Sequence, residues 1–75
     1  MNFETKKQLK DKAGLAYGLA NVLKYNTELL MEDISNRDIY KLKSTIADTD
    51  KTLHTLILIV EELEYILNLD KNMRP

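Results

Sequence analysis

Residues 39–67, IYKLKSTIADTDKTLHTLILIVEELEYIL, carry the pattern that decides the fold. With Ile39 assigned to heptad position a, eight of the nine a and d positions are apolar, and Thr49 is the exception. Apolar residues at this spacing, sustained over four heptads, predict a long amphipathic α-helix of the coiled-coil type. The a and d positions are Ile39, Leu42, Ile46, Thr49, Leu53, Leu56, Val60, Leu63 and Leu67.

The start of this helix is predicted from the residues before it. Ser35 precedes Asp38 by three positions, which is the spacing of a capping box, and Ile34 and Ile39 occupy the two positions of a hydrophobic staple. We therefore expect helix 2 over about 36–69. One uninterrupted helix with a polar patch is the alternative, because Ser and Asn oppose helix only weakly.

The first half of the chain is also predicted to be helical, over about 3–33. One apolar stripe comprises Leu9, Ala16, Leu19, Leu23, Leu30 and Ile34. A second comprises Leu15, Val22 and Leu29, seven residues apart. At about 100° per residue, the two stripes and the positions between them cover roughly 240° of the helix surface. Helix 1 therefore needs more than one neighbour.

Length and composition favour a single helical domain over residues 1–75. The chain has 75 residues, two Gly and one Pro, too little turn punctuation for a β fold. Two helices joined at about 33–35 predict an antiparallel helical hairpin, because a short connection makes antiparallel neighbours. Below about 80 residues one hydrophobic core seldom stabilises a domain without further help. We therefore expect two copies to pair into a four-helix bundle.

The surface expected to pair in this homodimer comes from both helices. Helix 2 is apolar on every side over residues 56–60, and an apolar surface this broad is usually covered in soluble proteins. The predicted self-association residues are Ile57, Ile59, Ile66, Leu15, Val22 and Leu29. Gly14 and Gly18 allow two interpretations: close approach of another helix, or a kink or helix start at Gly14.

The residue inventory argues against an enzyme, a metal site or a cofactor. There is no Cys, and the single His excludes a multi-His metal site within one chain. His54 lies four residues after Asp50, an ordinary pairing on a helix surface. Neither a phosphate-binding loop nor a catalytic motif is present, so we predict no catalytic residues and no small-molecule substrate.

A stripe on the back of helix 2 is the predicted contact for a larger host protein. Exposed Tyr supplies contact area and a polar tip, as it often does at protein interfaces. The alternative is that the dimer interface or the hairpin core buries this stripe. Its members are Tyr40, His54, Leu58, Tyr65 and Leu69.

A lysine cluster at the start of helix 1 supports a second function. Pairing with acidic residues on the other arm is the simpler interpretation, and the alternative is a phosphate-contacting patch for RNA or DNA. In that role the chain resembles the small helical-hairpin dimers that bind paired RNA loops, such as the Rop plasmid regulators, in architecture alone. The net charge of −1 makes nucleic acid the less favoured partner. The cluster comprises Lys6, Lys7, Lys10 and Lys12.

No targeting or membrane segment is recognisable, since the longest unbroken apolar run is residues 56–60 and a spanning helix needs about 20. We expect a soluble, cytoplasmic protein. Abundant Lys, Asn, Ile and Leu and the absence of Trp are typical of an AT-rich genome. Together with the small size, this usage favours a phage or mobile-element product. The predicted function is a non-enzymatic regulator, adaptor or inhibitor that binds protein through helical surfaces, with a structural assembly subunit as a further alternative.

Overall fold

The computed structural model describes the backbone of residues 2–73 and the side chains of residues 2–70. Within that range the chain forms two α-helices, α1 over Phe3–Ser35 and α2 over Ile39–Met73, which pack against each other. Cross-helix contacts from Lys12 to Glu62 and from Asp33 to Thr45 show that they run antiparallel. The predicted all-α helical hairpin is confirmed. It measures 58 × 15 × 12 Å. The end of α2 at Met73 is later than the predicted end near residue 69, so Met73 is helical rather than part of the frayed end predicted over 73–75, and the rest of that predicted end lies outside the described residues.

The turn falls at residues 36–38, about three residues later than predicted. The backbone N–H of Arg37 donates to the carbonyl of Ile34 at 3.1 Å, and that of Asp38 donates to the carbonyl of Asp33 at 3.0 Å. This pair of bonds is a Schellman motif, which satisfies the last carbonyls of α1. Arg37 occupies its left-handed position with φ of 55°, where glycine is the usual residue.

Asp38, rather than Ser35, begins the second helix. Asp38 Oδ1 accepts from the backbone N–H of Lys41 at 3.1 Å, which makes Asp38 the N-cap of α2. The predicted capping box is therefore wrong, because Ser35 is still the last residue of α1. At the other end of the hairpin, the Asn2 side chain caps α1 by accepting from the N–H of Thr5 at 2.8 Å, a cap that the sequence interpretation missed.

The interface between the helices changes character along its length. Near the turn it is polar: Asn26, Asp33 and Thr45 are the buried residues, and Thr45 donates to Asp33 Oδ2 at 2.7 Å. Asn26 Nδ2 also donates a hydrogen bond to Thr52 Oγ1 at 3.4 Å. Toward the open end the interface becomes aliphatic. Thr5, Lys12 and Asp70 are the half-buried polar residues there. The half-buried aliphatic residues are Leu9, Ala16, Leu19 and Leu23 of α1 and Leu56, Ile59, Leu63 and Ile66 of α2.

The hairpin leaves its apolar side chains incompletely covered. Among residues 2–70 no hydrophobic side chain is fully buried, and many large ones remain more than 40% exposed. A two-helix layer can cover only one stripe of each helix, so most of the apolar surface counted in the sequence stays accessible in the single chain.

Candidate protein-interaction surfaces

The interface residues define which columns of side chains flank it. On α2 the interface uses heptad positions d and g, so position a lies on one side of it and position c on the other. On α1 the equivalent flanking columns are residues 13, 20, 27 and 34 on one side and 15, 22 and 29 on the other. Leu29 and Lys41, a c residue, line the same depression. Leu15, Val22 and Leu29 therefore share a face with the c column, and Ala13 and Ala20 share the opposite face with the a column.

The a-column side is called the heptad face here. The heptad pattern leaves open which apolar column packs within the hairpin, and the structure leaves the a residues 41–64% exposed. No a residue of α2 is charged or polar, and the neighbouring α1 column carries small alanines. The heptad face comprises Ile39, Ile46, Leu53, Val60 and Leu67 of α2 with Ala13, Ala20, Thr27 and Ile34 of α1.

The opposite side, called the tyrosine face, mixes apolar and charged groups. An open depression of about 410 Å³ on it places Leu58 and Tyr65 beside Lys12, which donates to Glu62 across the two helices. Leu58 is 59% exposed and Tyr65 is 66% exposed. The tyrosine face comprises Leu15, Val22, Tyr25 and Leu29 of α1 with Leu58, Glu62, Tyr65 and Leu69 of α2.

The predicted self-association residues do not fall on one surface. Ile59 and Ile66 are half-buried at g positions and face α1, whereas Ile57 is 46% exposed beside the heptad face. Leu15 and Val22 are exposed on the tyrosine face, and Leu29 is half-buried there. A single mate on one face therefore contacts only part of this set.

The predicted partner-binding stripe is exposed throughout, but only part of it is brought together. Leu58 and Tyr65 line one depression, and Leu69 is on the same face. His54 points away from α1, and its Nδ1 lies 2.8 Å from the carbonyl of Asp50 and 3.4 Å from Asp50 Oδ1. Tyr40, the most exposed at 88%, lies near the turn and far from the depression.

The structure divides the lysine cluster. Lys12 is half-buried and paired with Glu62, which is the complementary arrangement between arms that we considered. Lys6, Lys7 and Lys10 are exposed, and they line a depression with Phe3 and Asp11 at the open end of the hairpin. Only these three are placed to meet an external anion.

Gly14 and Gly18 lie inside α1, so Gly14 does not mark a helix start. A Cβ built at either position would meet nothing within 4 Å. Within the hairpin, the described residues therefore provide no close helix contact that would offset the cost of these glycines.

Further observations bound the chemistry of these surfaces. In the part of the chain that the structure describes, no three His, Asp or Glu residues are grouped so that they could hold a metal ion. Neither helix, over its described length, combines the length and apolarity needed to cross a bilayer. Comparison with protein-family models, curated sequences and solved structures found no match.

Proposed function

We propose that this chain is a non-enzymatic protein-binding module, acting as a regulator, adaptor or inhibitor, and that it works as a self-associated four-helix bundle. The observation that carries the proposal is the broad exposed apolar surface on both faces of a hairpin with no fully buried hydrophobic side chain among residues 2–70. Apolar patches on this scale mark interaction sites in soluble proteins.

Two exposed faces support two roles. The heptad face is continuous and aliphatic, as permanent interfaces between subunits tend to be. The tyrosine face carries Tyr65 and Leu58 beside the Lys12–Glu62 ion pair. Aromatic side chains in a polar surround are typical of contacts between different proteins. One face thus suits a second copy, and the other suits a host protein that presents an apolar side chain to the depression.

Affinity capture tests the partner role. A photo-reactive amino acid at position 65 then cross-links the captured protein to the tyrosine face. We expect the doubly substituted protein, Leu58→Asp with Tyr65→Ala, to lose the captured protein while keeping its helical circular dichroism and its mass by light scattering. Tyr40→Ala is the control, because it removes an exposed tyrosine that lies away from the depression. Capture that survives the double substitution would show that this face is not the binding site.

Nucleic-acid binding is a second candidate because Lys6, Lys7 and Lys10 project together at one end beside Phe3. Binding through phosphate contacts would be salt-sensitive. We expect Gln at these three positions to weaken RNA or DNA binding, whereas Lys12→Gln, at the lysine already paired with Glu62, should change it less. Equal effects of the four substitutions would argue against a specific patch.

A further inference from the structure

We propose that a second copy of this chain covers the heptad face, with the two-fold axis parallel to the helices, so that both turns lie at the same end of the bundle. This inference rests on the self-association in the proposed function and adds its face and orientation.

The face follows from the geometry of a four-helix bundle. Each helix there has two neighbours, so its core is formed by one interface column together with the flanking column on the mate's side. If the mate sits on the heptad face, the α2 core columns become a and d. Over residues 39–67 the one polar member of these columns is Thr49, and Asp70 follows at the next d position, at the open end. Over residues 9–34 the corresponding α1 columns have Thr27 as their one polar member, and Lys6 precedes them at the open end. These columns comprise Leu9, Ala13, Ala16, Ala20, Leu23, Thr27, Leu30 and Ile34.

The tyrosine face cannot supply an equivalent core. A mate placed there would make c and g the core columns of α2, and these columns contain Lys41, Asp48 and Glu62. The matching α1 columns add Lys12 and Asp33. Burying several charges costs far more than burying aliphatic side chains. The alanines on the heptad face also leave room for a mate's larger side chains to approach.

Two orientations of the mate keep all neighbouring helices antiparallel. With the two-fold axis perpendicular to the helices, each helix lies over its own copy; with the axis parallel to them, α1 lies over the mate's α2. The columns that border the interface decide between the two. On α1 this column is Lys10, Tyr17, Lys24 and Met31, and on α2 it is Lys43, Asp50, Ile57 and Glu64.

The charges of these columns favour the parallel axis. Ile57 lies near the middle of α2, so with the perpendicular axis two fully overlapping α2 helices cross near Ile57. This crossing brings Asp50 close to the mate's Glu64 in two symmetric like-charge contacts. With the parallel axis, Lys10 and Lys24 of one chain face the acidic residues of the other. Charged residues at such bordering positions set helix orientation in coiled coils.

The register of the hairpin brings these opposite charges within reach. The contacts Asn26–Thr52 and Asp33–Thr45 place Lys24 level with residue 54 of α2, about one helical turn from Asp50. The same register places Lys10 about one turn from Glu64. One turn is about 5.4 Å along the axis, a separation that a lysine side chain and a carboxylate can bridge.

Distance measurement between two spin labels tests the orientation. Because the chain has no Cys, Ser35→Cys at the exposed end of α1 gives one label per chain. We expect a dimer with labels less than about 30 Å apart, since adjacent helices are separated by 8–10 Å. A dimer with turns at opposite ends would separate the labels by about 45 Å or more, the length of an arm; that result would overturn this inference and leave self-association standing.

Charge reversal provides a test that does not disturb the core. We expect Lys10→Glu with Lys24→Glu to raise the dimer Kd about tenfold at low salt. Adding Asp50→Lys and Glu64→Lys should restore most of the affinity, because the mate then supplies the opposite charge. Failure of this restoration would count against the parallel axis.

The face is tested separately by Leu53→Glu, with Leu15→Glu as the matched control on the tyrosine face. We expect the first to lower the mass toward 8.7 kDa or to raise the Kd at least a hundredfold, and the second to leave the dimer intact. The reverse outcome would place the mate on the tyrosine face and overturn this inference. A wild-type protein that stays monomeric at every concentration would instead remove the self-association itself.

Discussion

Replacing Thr45 with valine removes the hydroxyl group that donates a hydrogen bond between two of the three buried residues in the range 2–70. Thr45 Oγ1 donates to Asp33 Oδ2 at 2.7 Å, and the two residues are 8% and 6% exposed. Valine has nearly the same shape and helix propensity as threonine. The substitution therefore tests the hydrogen bond rather than packing.

The expected loss follows from the chemistry of the acceptor. A hydrogen bond to a charged group contributes about 1.5–3 kcal/mol, and removing one partner leaves the other desolvated without compensation. We expect Thr45→Val to lower the free energy of unfolding by about 2 kcal/mol. For a domain of this size that corresponds to a fall of roughly 8–16 °C in Tm. Asp33→Leu added to Thr45→Val should recover most of the loss, because apolar groups then replace both partners.

Urea unfolding followed by circular dichroism measures these differences, at one fixed protein concentration because self-association makes stability concentration-dependent. Thr55→Val is the matched control: it lies on the same helix, is exposed, and its hydroxyl donates only to the carbonyl of Lys51. The control should change stability by less than about 0.5 kcal/mol. If Thr45→Val costs no more than Thr55→Val, the contact with Asp33 does not stabilise the hairpin.

Backbone positions give further predictions, each measured by urea unfolding. Arg37→Gly should stabilise the protein by about 1 kcal/mol, because φ of 55° is strained for a residue with a side chain; a loss would mean that the arginine side chain has another role. Asp38→Ala should destabilise it by about 1 kcal/mol by removing the cap of α2, and no change would contradict that cap. Gly14→Ala and Gly18→Ala should each stabilise it by up to about 1 kcal/mol, since an added Cβ meets open space. Destabilisation at either glycine would indicate that a second helix packs closely against it.

Apolar periodicity predicted the two helices and the short connection predicted their antiparallel pairing, and most residues of the first α1 stripe lie half-buried in the interface. It could not place the turn, because the decisive interactions are backbone geometry rather than residue type. Ser35 has the right spacing for a cap, but the Schellman bonds from Arg37 and Asp38 extend α1 through it. Arginine in the left-handed region gives no sequence signal of the kind that glycine would provide.

The sequence also could not reveal which charged and polar groups enter the interface. Asp33 and Asn26 appeared as ordinary polar residues, yet they are buried against Thr45 and Thr52. Polar pairs of this kind depend on the axial register of the two helices, which the periodicity within one helix does not define. The Lys12–Glu62 pair agrees with the simpler interpretation of the lysine cluster, because opposite charges cluster at the open end of the hairpin.

The position of the hairpin interface relative to the apolar stripe of α2 has a physical explanation in the two-neighbour geometry of a bundle. Periodicity locates the centre of the apolar stripe, and on α2 this centre lies between a and d. A helix with one neighbour turns that centre toward it, but the interface with α1 is instead centred between d and g, about 60° away. With this rotation the d residues face both α1 and the side of the heptad face, and the a residues stay exposed in the single hairpin. A helix placed between two neighbours at right angles has this arrangement, which is why the exposed a column is the strongest structural argument for a second copy.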